Sequence, residues 1–301
     1  MITKLSQIVE EARTRGAKRL AVAYGQDAHT IQAVYEAYRE GLVQPTIYGD
    51  KKVILKVCAD EGIDVSAFNI VDEKNDVTCV HLAVSAVATG QADVLMKGLV
   101  STDKYMHGIL NKEAGLFPQG GVLSHVAVVE LPSYPRLLCF SDAAVIPQPD
   151  FKQKTKILGY LKNTANVLGI ECPKIACIAP SEQLLPKVVS STDAAILAKM
   201  GGRGQFGNVT VDGPLSLDVS MYTEVAEEKK VKGSDVAGKA DCLLFPNIES
   251  ANVFFKACTH FGNGQLAAMV AGTNRPCVLT SRGDTPLTKL YSIALACLAA
   301  N

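Results

Sequence analysis

The segment Thr280-Ser281-Arg282-Gly283-Asp284-Thr285-Pro286 gathers, in seven positions, the residue types needed to hold an anion. It follows the apolar run Cys277–Leu279 and precedes a long apolar stretch, so it reads as a strand-to-helix turn. Thr285 suits the helix N-cap and Pro286 the first helical position. Ser281, Arg282 and Asp284 then sit outside the carboxyl end of a strand, where open α/β sheets bind ligands. A helix start offers free N–H groups and the positive end of its dipole. Arg282 adds a fixed charge with planar donors matched to phosphate or to a developing oxyanion. The plainer alternative is a capped turn with a surface arginine.

Two further turns share this pattern. Met96-Lys97-Gly98-Leu99-Val100-Ser101-Thr102-Asp103-Lys104 follows one apolar run, and Phe245-Pro246-Asn247-Ile248-Glu249-Ser250-Ala251-Asn252 follows another. Lys97, Thr102, Ser250 and Asn252 are their candidate ligand contacts, with Ser250 or Asn252 the expected cap of a helix over 251–258. Three hydroxyl-bearing turns suit a ligand with more than one anionic group, although helix capping alone explains each of the last two. Gly202-Arg203-Gly204-Gln205-Phe206-Gly207 matches GxGxxG but has a helix before it and a strand after it, the reverse of a dinucleotide fingerprint. It reads as a helix C-cap and loop, with Arg203 still able to meet an anion. His125 lies inside an apolar strand and is either a hydrogen-bonded core histidine or a proton carrier. Five histidines without HxH or HxxxH spacing, and nine cysteines without a CxxC pair, argue against a metal site.

These turns must be positioned by what lies between them. Eleven short apolar runs, from Arg19–Ala23 to Pro276–Leu279, alternate with longer stretches of helical period. Most are apolar at successive positions, which fits strands covered on both faces. Such alternation implies an α/β fold with largely parallel, doubly wound sheets. Eleven strands are many for one sheet, so two domains are expected, with crossings near the two-proline stretch Ile146–Asp150 and near Asn274-Arg275-Pro276. The expected division is residues 1–139 completed by 278–301, and residues 140–277. The last stretch, 285–300, is apolar along Leu287, Leu290, Ile293, Ala294, Cys297 and Leu298 and must be buried.

The 301 residues are 48% hydrophobic and 20% charged, ordinary globular values that exclude a fibrous or disordered chain. Thirty basic against thirty acidic residues give no global attraction for nucleic acid. There is no apolar run of about 18 residues, so no membrane span is expected. The opening residues lack a signal-peptide core, and the cysteines read as buried free thiols of a reducing compartment. A cytoplasmic location follows as an expectation.

Taken together, several motifs resemble the phosphate acetyl/butyryl transferases. They are Lys97-Gly98-Leu99-Val100, Leu110-Asn111-Lys112-Glu113, Leu123-Ser124-His125-Val126, Ser141-Asp142-Ala143-Ala144, Val211–Asp218, Phe245-Pro246-Asn247 with Ser250-Ala251-Asn252, and Ser281-Arg282-Gly283. The resemblance runs from about Ala92 to the end, is weaker before it, and leans toward the butyryl branch. It implies two α/β/α domains with a cleft between them, as in isocitrate and isopropylmalate dehydrogenases. It also implies a homodimer or larger homo-oligomer, and the reaction acyl-CoA + phosphate = acyl phosphate + CoA. Acyl-CoA and inorganic phosphate are the implied partners, with no metal or prosthetic group. Ser281 and Arg282 match the catalytic serine–arginine pair, and Ser124 joins the substrate contacts. The acetyl branch carries an aspartate seven positions after that serine, where this chain has Thr288. The proton acceptor therefore has no inherited identity, and Asp284 or His125 is the expected substitute. A phosphate acetyltransferase is the alternative. An NAD(P)-dependent decarboxylating dehydrogenase of the same fold and a non-catalytic CoA-binding protein are the more distant ones.

Overall fold

A computed structural model describes residues 1–111, 115–281 and 283–300. Lys112 and Glu113 of the Leu110–Glu113 motif, and Arg282 of the last turn, lie outside the described residues. The chain folds into two compact units, one of Leu5–Leu123 with Leu266–Asn301, the other of Met1–Lys4 with Ser124–Gln265. The divisions expected at 139/140 and 277/278 do not coincide with these limits. The first falls inside a strand, Leu138–Ser141, and the second inside another, Cys277–Val278.

The first unit begins α1 (Leu5–Thr14), β1 (Lys18–Ala23), α2 (Ala28–Arg39), β2 (Val43–Gly49), α3 (Lys51–Asp60), β3 (Asn69–Asp72), α4 (Asp76–Ala88), β4 (Val94–Lys97) and α5 (Thr102–Ile109). The second contains β5 (Ser124–Glu130), β6 (Leu138–Ser141), α6 (Phe151–Val167), β7 (Lys174–Ile178), α7 (Val189–Gly202), β8 (Thr210–Leu215), α8 (Leu217–Met221), α9 (Thr223–Glu228), β9 (Cys242–Leu244) and α10 (Ile248–His260). β10 (Gln265–Ala271), β11 (Cys277–Val278) and α11 (Pro286–Ala299) complete the first.

In the first unit the strand order is β3-β2-β1-β4-β11-β10. The first five are parallel, and β10 runs antiparallel to β11. The last four residues of β1 and all of β4 are buried without interruption. A strand can be apolar at every position only when helices cover both faces. The helices accordingly fall into two groups, α11 packed on α1 and α2, and α4 packed on α5, β1 and β2. The chain leaves β1 toward β2 on one side, while β4 lies on the other. The sheet therefore has its topological switch point between β1 and β4, and the crevice there opens at their carboxyl ends.

Gly98 permits that opening. Its N–H donates to Ala23 O at 2.9 Å, and Leu99 N–H to Tyr24 O at 2.9 Å, so the two turns continue the ladder beyond the strands. A Cβ on Gly98 would stand 2.5 Å from Tyr24 O and 2.7 Å from Gly25 Cα. Both are backbone atoms that cannot step aside. Gly98→Ala is expected to lower stability by about 2 kcal/mol, the cost of forcing an extra methyl into packed surroundings. The midpoint of urea unfolding reads this, and an unchanged midpoint would show the two turns to be loosely apposed.

In the second unit the order is β5-β6-β9-β7-β8, with β5 antiparallel to β6 and the rest parallel. Because β5 is reversed, its first residues, Ser124 and His125, lie at the same edge as the carboxyl ends of β6 and β9. Phe140 is the centre of an aromatic cluster, with ring centroids 6.2 Å from Phe245, 5.1 Å from Phe254 and 6.1 Å from Phe255. The cluster fixes α10 against β6. Among the described residues no helix is long and apolar enough to cross a membrane.

Candidate active site

In the first unit the turn after β11 sits beside the end of β4, since Cys277 pairs with Leu95 and Val278 with Met96. Its described members are tied down from several sides. Ser281 N–H donates to Asp284 Oδ2 at 2.7 Å, and Asp284 N–H returns a bond to Ser281 O at 3.2 Å. Asp284 thus spends a carboxylate oxygen on closing its own turn. Thr285 caps α11 by accepting from Thr288 N–H, with Pro286 at the first position. The fully buried Tyr105 of α5 donates its hydroxyl to Val278 O at 3.0 Å, anchoring the strand beneath the turn. The Ser281 side of the turn is exposed.

Lys97 ends β4 and is buried, with Nζ donating to Gly98 O at 3.2 Å. Ser101, not Thr102, caps α5, with Oγ accepting from Lys104 N–H; Thr102 is the exposed first residue of that helix.

Sequence reasoning missed Lys289. It lies on the first turn of α11, only 3% exposed, and its Nζ donates to Thr280 Oγ1 at 3.2 Å and Ser281 O at 3.1 Å. Burial pushes its ammonium below the usual lysine range, against the opposing pull of Asp27 and Asp284. With Asp27, Ala28, His29, Gly98 and Leu99 it lines a cavity of about 270 Å³. These residues are the starts of α2 and α11 and the turn after β4, so the cavity lies at the switch point. The signal was present. Lys289 is the single charged residue of a largely apolar helix, and such a residue needs a reason. A larger cavity of about 700 Å³, lined by residues including Arg19, Tyr48, Phe68 and Gln91, contains none of the expected site residues.

The second unit gathers Ser124, the backbone carbonyl of His125 and Asn252 around the loop after β6, which is organised by a buried carboxylate, Asp142; Ser250 bonds to Asn247 instead. Asp142 Oδ1 accepts from Ala144 and Val145 N–H, both at 2.9 Å, and Asp142 Oδ2 from Ile146 N–H and Ser124 Oγ, both at 3.0 Å. Ser124 Oγ also lies 2.9 Å from Ser141 Oγ, which in turn donates to His125 O at 2.8 Å. Ser124 is therefore built into the loop after β6. His125 is buried, with its ring 6.4 Å from that of Phe255. Asn252 donates from Nδ2 to Ala143 O at 3.0 Å, clamping the same loop from α10.

The expected start of α10 is corrected. The helix begins at Ile248, and Asn247 is its cap, accepting from Ser250 N–H at 3.0 Å. Ser250 Oγ donates to Asn247 Oδ1 at 2.7 Å, so its hydroxyl serves the helix start. The short side chain of Asn247, which follows a proline, closes the turn three residues earlier than the apolar pattern alone suggests.

Arg203 stands apart from this group. It is the exposed C-cap of α7. Since α7 joins the parallel strands β7 and β8, its C-terminus lies at the edge where β8 begins, opposite the carboxyl ends of β6 and β9. Among the described residues no group of three or more His, Cys, Asp or Glu side chains is arranged to hold a metal ion.

The family model described as "Phosphate acetyl/butaryl transferase" matches residues 77–297. The phosphate butyryltransferase of Clostridium acetobutylicum is 42% identical over 300 residues, covering 100% of this chain and 99% of that one. The phosphate acetyltransferase of Thermotoga maritima is 39% identical, covering 98% and 99%. The likeness thus reaches back over the opening residues, where the motifs alone are sparse. Among solved structures, a branched-chain phosphotransacylase from Enterococcus faecalis superimposes with a TM-score of 0.83 at 31% identity, covering 94% of this chain and 99% of that one. By sequence along its whole length and by fold, this chain belongs to the phosphate acetyl/butyryl transferase family.

Proposed function

We propose that this protein transfers a short-chain acyl group, butyryl foremost, between coenzyme A and inorganic phosphate, in the reaction acyl-CoA + phosphate = acyl phosphate + CoA. Membership of the family supports the reaction type. The observation that carries it to particular atoms is the Ser281 turn, held from both sides at the carboxyl end of β11 beside the switch point. In this reading a phosphate oxygen attacks the thioester carbonyl directly, and Arg282 meets phosphate and the developing oxyanion. Ser281 donates to the phosphate or the leaving sulfur. An architecture shared with isocitrate and isopropylmalate dehydrogenases, and assembly into a homo-oligomer, belong to the same proposal.

Direct transfer needs no acyl-enzyme, and the cysteines support that. Cys139 and Cys277 are fully buried, and burial pushes the Cys277 thiol up to about 12, where almost no thiolate exists near neutrality. Labelled acyl-CoA mixed with the protein without phosphate should leave no label on it. A stable acyl-protein adduct would overturn direct transfer.

The test of function is thiol release from acyl-CoA on adding phosphate, compared across acetyl, propionyl, butyryl and isobutyryl thioesters. A pocket for the two extra methylenes of butyryl is worth about 0.8 kcal/mol each when fully buried, roughly 15-fold over acetyl. A second reading, phosphate acetyltransferase, is favoured by the 39% identity to the Thermotoga maritima enzyme of that name. Faster acetyl than butyryl turnover would establish it. Release of no thiol from any of the four would leave a CoA-binding protein without this activity.

A further inference from the structure

The reaction proposed above makes a thiolate in one direction and consumes a thiol in the other, so it needs a group that exchanges a proton with sulfur. The acetyl branch's aspartate position is Thr288 here, and a threonine hydroxyl is no acid or base near neutral pH. Asp284 is engaged with its own turn. We propose that Lys289 gives a proton to the departing thiolate of coenzyme A, and takes the thiol proton in the reverse direction.

Three observations carry this. The first is the unfavourable setting of the charge. Lys289 is buried, and it sits on the first turn of α11, where the helix dipole and the free N–H groups oppose a cation. Among the described residues its Nζ has no ion-pair partner, its bonds being to a hydroxyl and a carbonyl. A role in packing alone would be met by methionine, without that cost.

The second is the stereochemistry of the nitrogen. Two of its tetrahedral positions are taken by the bonds to Thr280 Oγ1 and Ser281 O, both acceptors. The position left over is an N–H in the ammonium and a lone pair in the amine. Gaining or losing that proton therefore breaks neither bond, and the turn that carries Ser281 keeps its place in both states. The third is access, since Lys289 lines the 270 Å³ cavity at the switch point.

The step balances. A phosphate oxygen forms the new C–O bond, and the C–S bonding pair passes to sulfur. Sulfur takes the proton of the Lys289 ammonium, the acyl phosphate releases to solvent the proton the phosphate brought, and the amine takes up one from solvent in its place. In reverse, the amine removes the thiol proton as sulfur attacks the acyl phosphate. Burial of Lys289 brings its acidity closer to that of a thiol, which makes either transfer easier. Among the described residues, the charged or titratable groups facing it are Asp27 at the cap of α2, His29 on α2 and Asp284 on the turn.

The inference rests on the acyl-transfer reading, and the wild-type protein tests that first. If it releases no thiol with phosphate, the reading fails before any variant is made. If it does, K289M, K289Q and K289R are compared in both directions, each checked for its fold by circular dichroism. The Met and Gln variants are expected to lose about 100-fold or more in kcat with the KM for phosphate nearly unchanged. The Arg variant keeps the charge and donors but has no accessible neutral state, so it is expected to be impaired as strongly. Ethylamine added to K289A should restore part of the turnover. K289R within about tenfold of wild type would overturn the proposal in favour of charge alone. A raised phosphate KM with kcat retained would overturn it in favour of phosphate binding, and K289R stays decisive if the Met or Gln variant does not fold.

Discussion

Arg282→Ala is expected to lower turnover about 100- to 1000-fold in both directions while leaving the fold intact. A preorganised donor aimed at a developing oxyanion is typically worth about 3–4 kcal/mol, and the guanidinium adds a charge that cannot be lost near neutral pH. The fold should survive because the turn is held by its neighbours, with Asp284 on Ser281 N–H, Lys289 on Ser281 O and Thr285 capping α11. Steady-state rates of phosphate-dependent thiol release, with circular dichroism as the control, measure it. Arg282→Lys should recover only part of the loss, because an ammonium lacks the planar pair of donors. Turnover near the wild-type rate in Arg282→Ala would remove this residue from the mechanism.

The second large effect concerns Asp142, and there stability rather than rate should suffer. Its two oxygens accept four hydrogen bonds in a site that is 2% exposed. Asparagine keeps the shape but turns one oxygen into an NH₂ that faces donors. Bonds to a charged acceptor are worth about 1.5–3 kcal/mol each, and a buried donor left without an acceptor adds its own desolvation cost. Asp142→Asn is therefore expected to destabilise the second unit by about 4 kcal/mol. Urea unfolding followed by circular dichroism would show a lowered midpoint. An unshifted midpoint would mean that Ser124 and residues 144–146 find other partners. Because that carboxylate organises Ser124 and the loop clamped by Asn252, activity should fall with stability.

Much of this was legible in advance. All eleven apolar runs are strands, and the ends of β4 fall at Val94 and Lys97 as the apolar pattern gives them. Strands buried on both faces leave a continuous apolar signature that helices do not. Thr285 and Pro286 likewise marked the start of α11 by their chemistry. What local pattern did not reveal was partnership over distance. Asp142 receives a hydroxyl from Ser124, 18 positions away. The placement of Arg203 was not legible either, because spacing does not tell which edge of a sheet a loop occupies. Lys289 was masked by its neighbours, since a helix read as uniformly buried draws attention to its leucines and not to its one cation.

The cysteines of this chain have a practical side. Eight are buried, and burial pushes several of their thiols up to about 12, those of Cys79, Cys177, Cys277 and Cys297 among them. Cys172, just ahead of β7, is the exposed one. A maleimide dye should therefore attach at one place in the native protein without any engineered background. That gives the second unit a fluorescent reporter from which substrate titrations can be read directly.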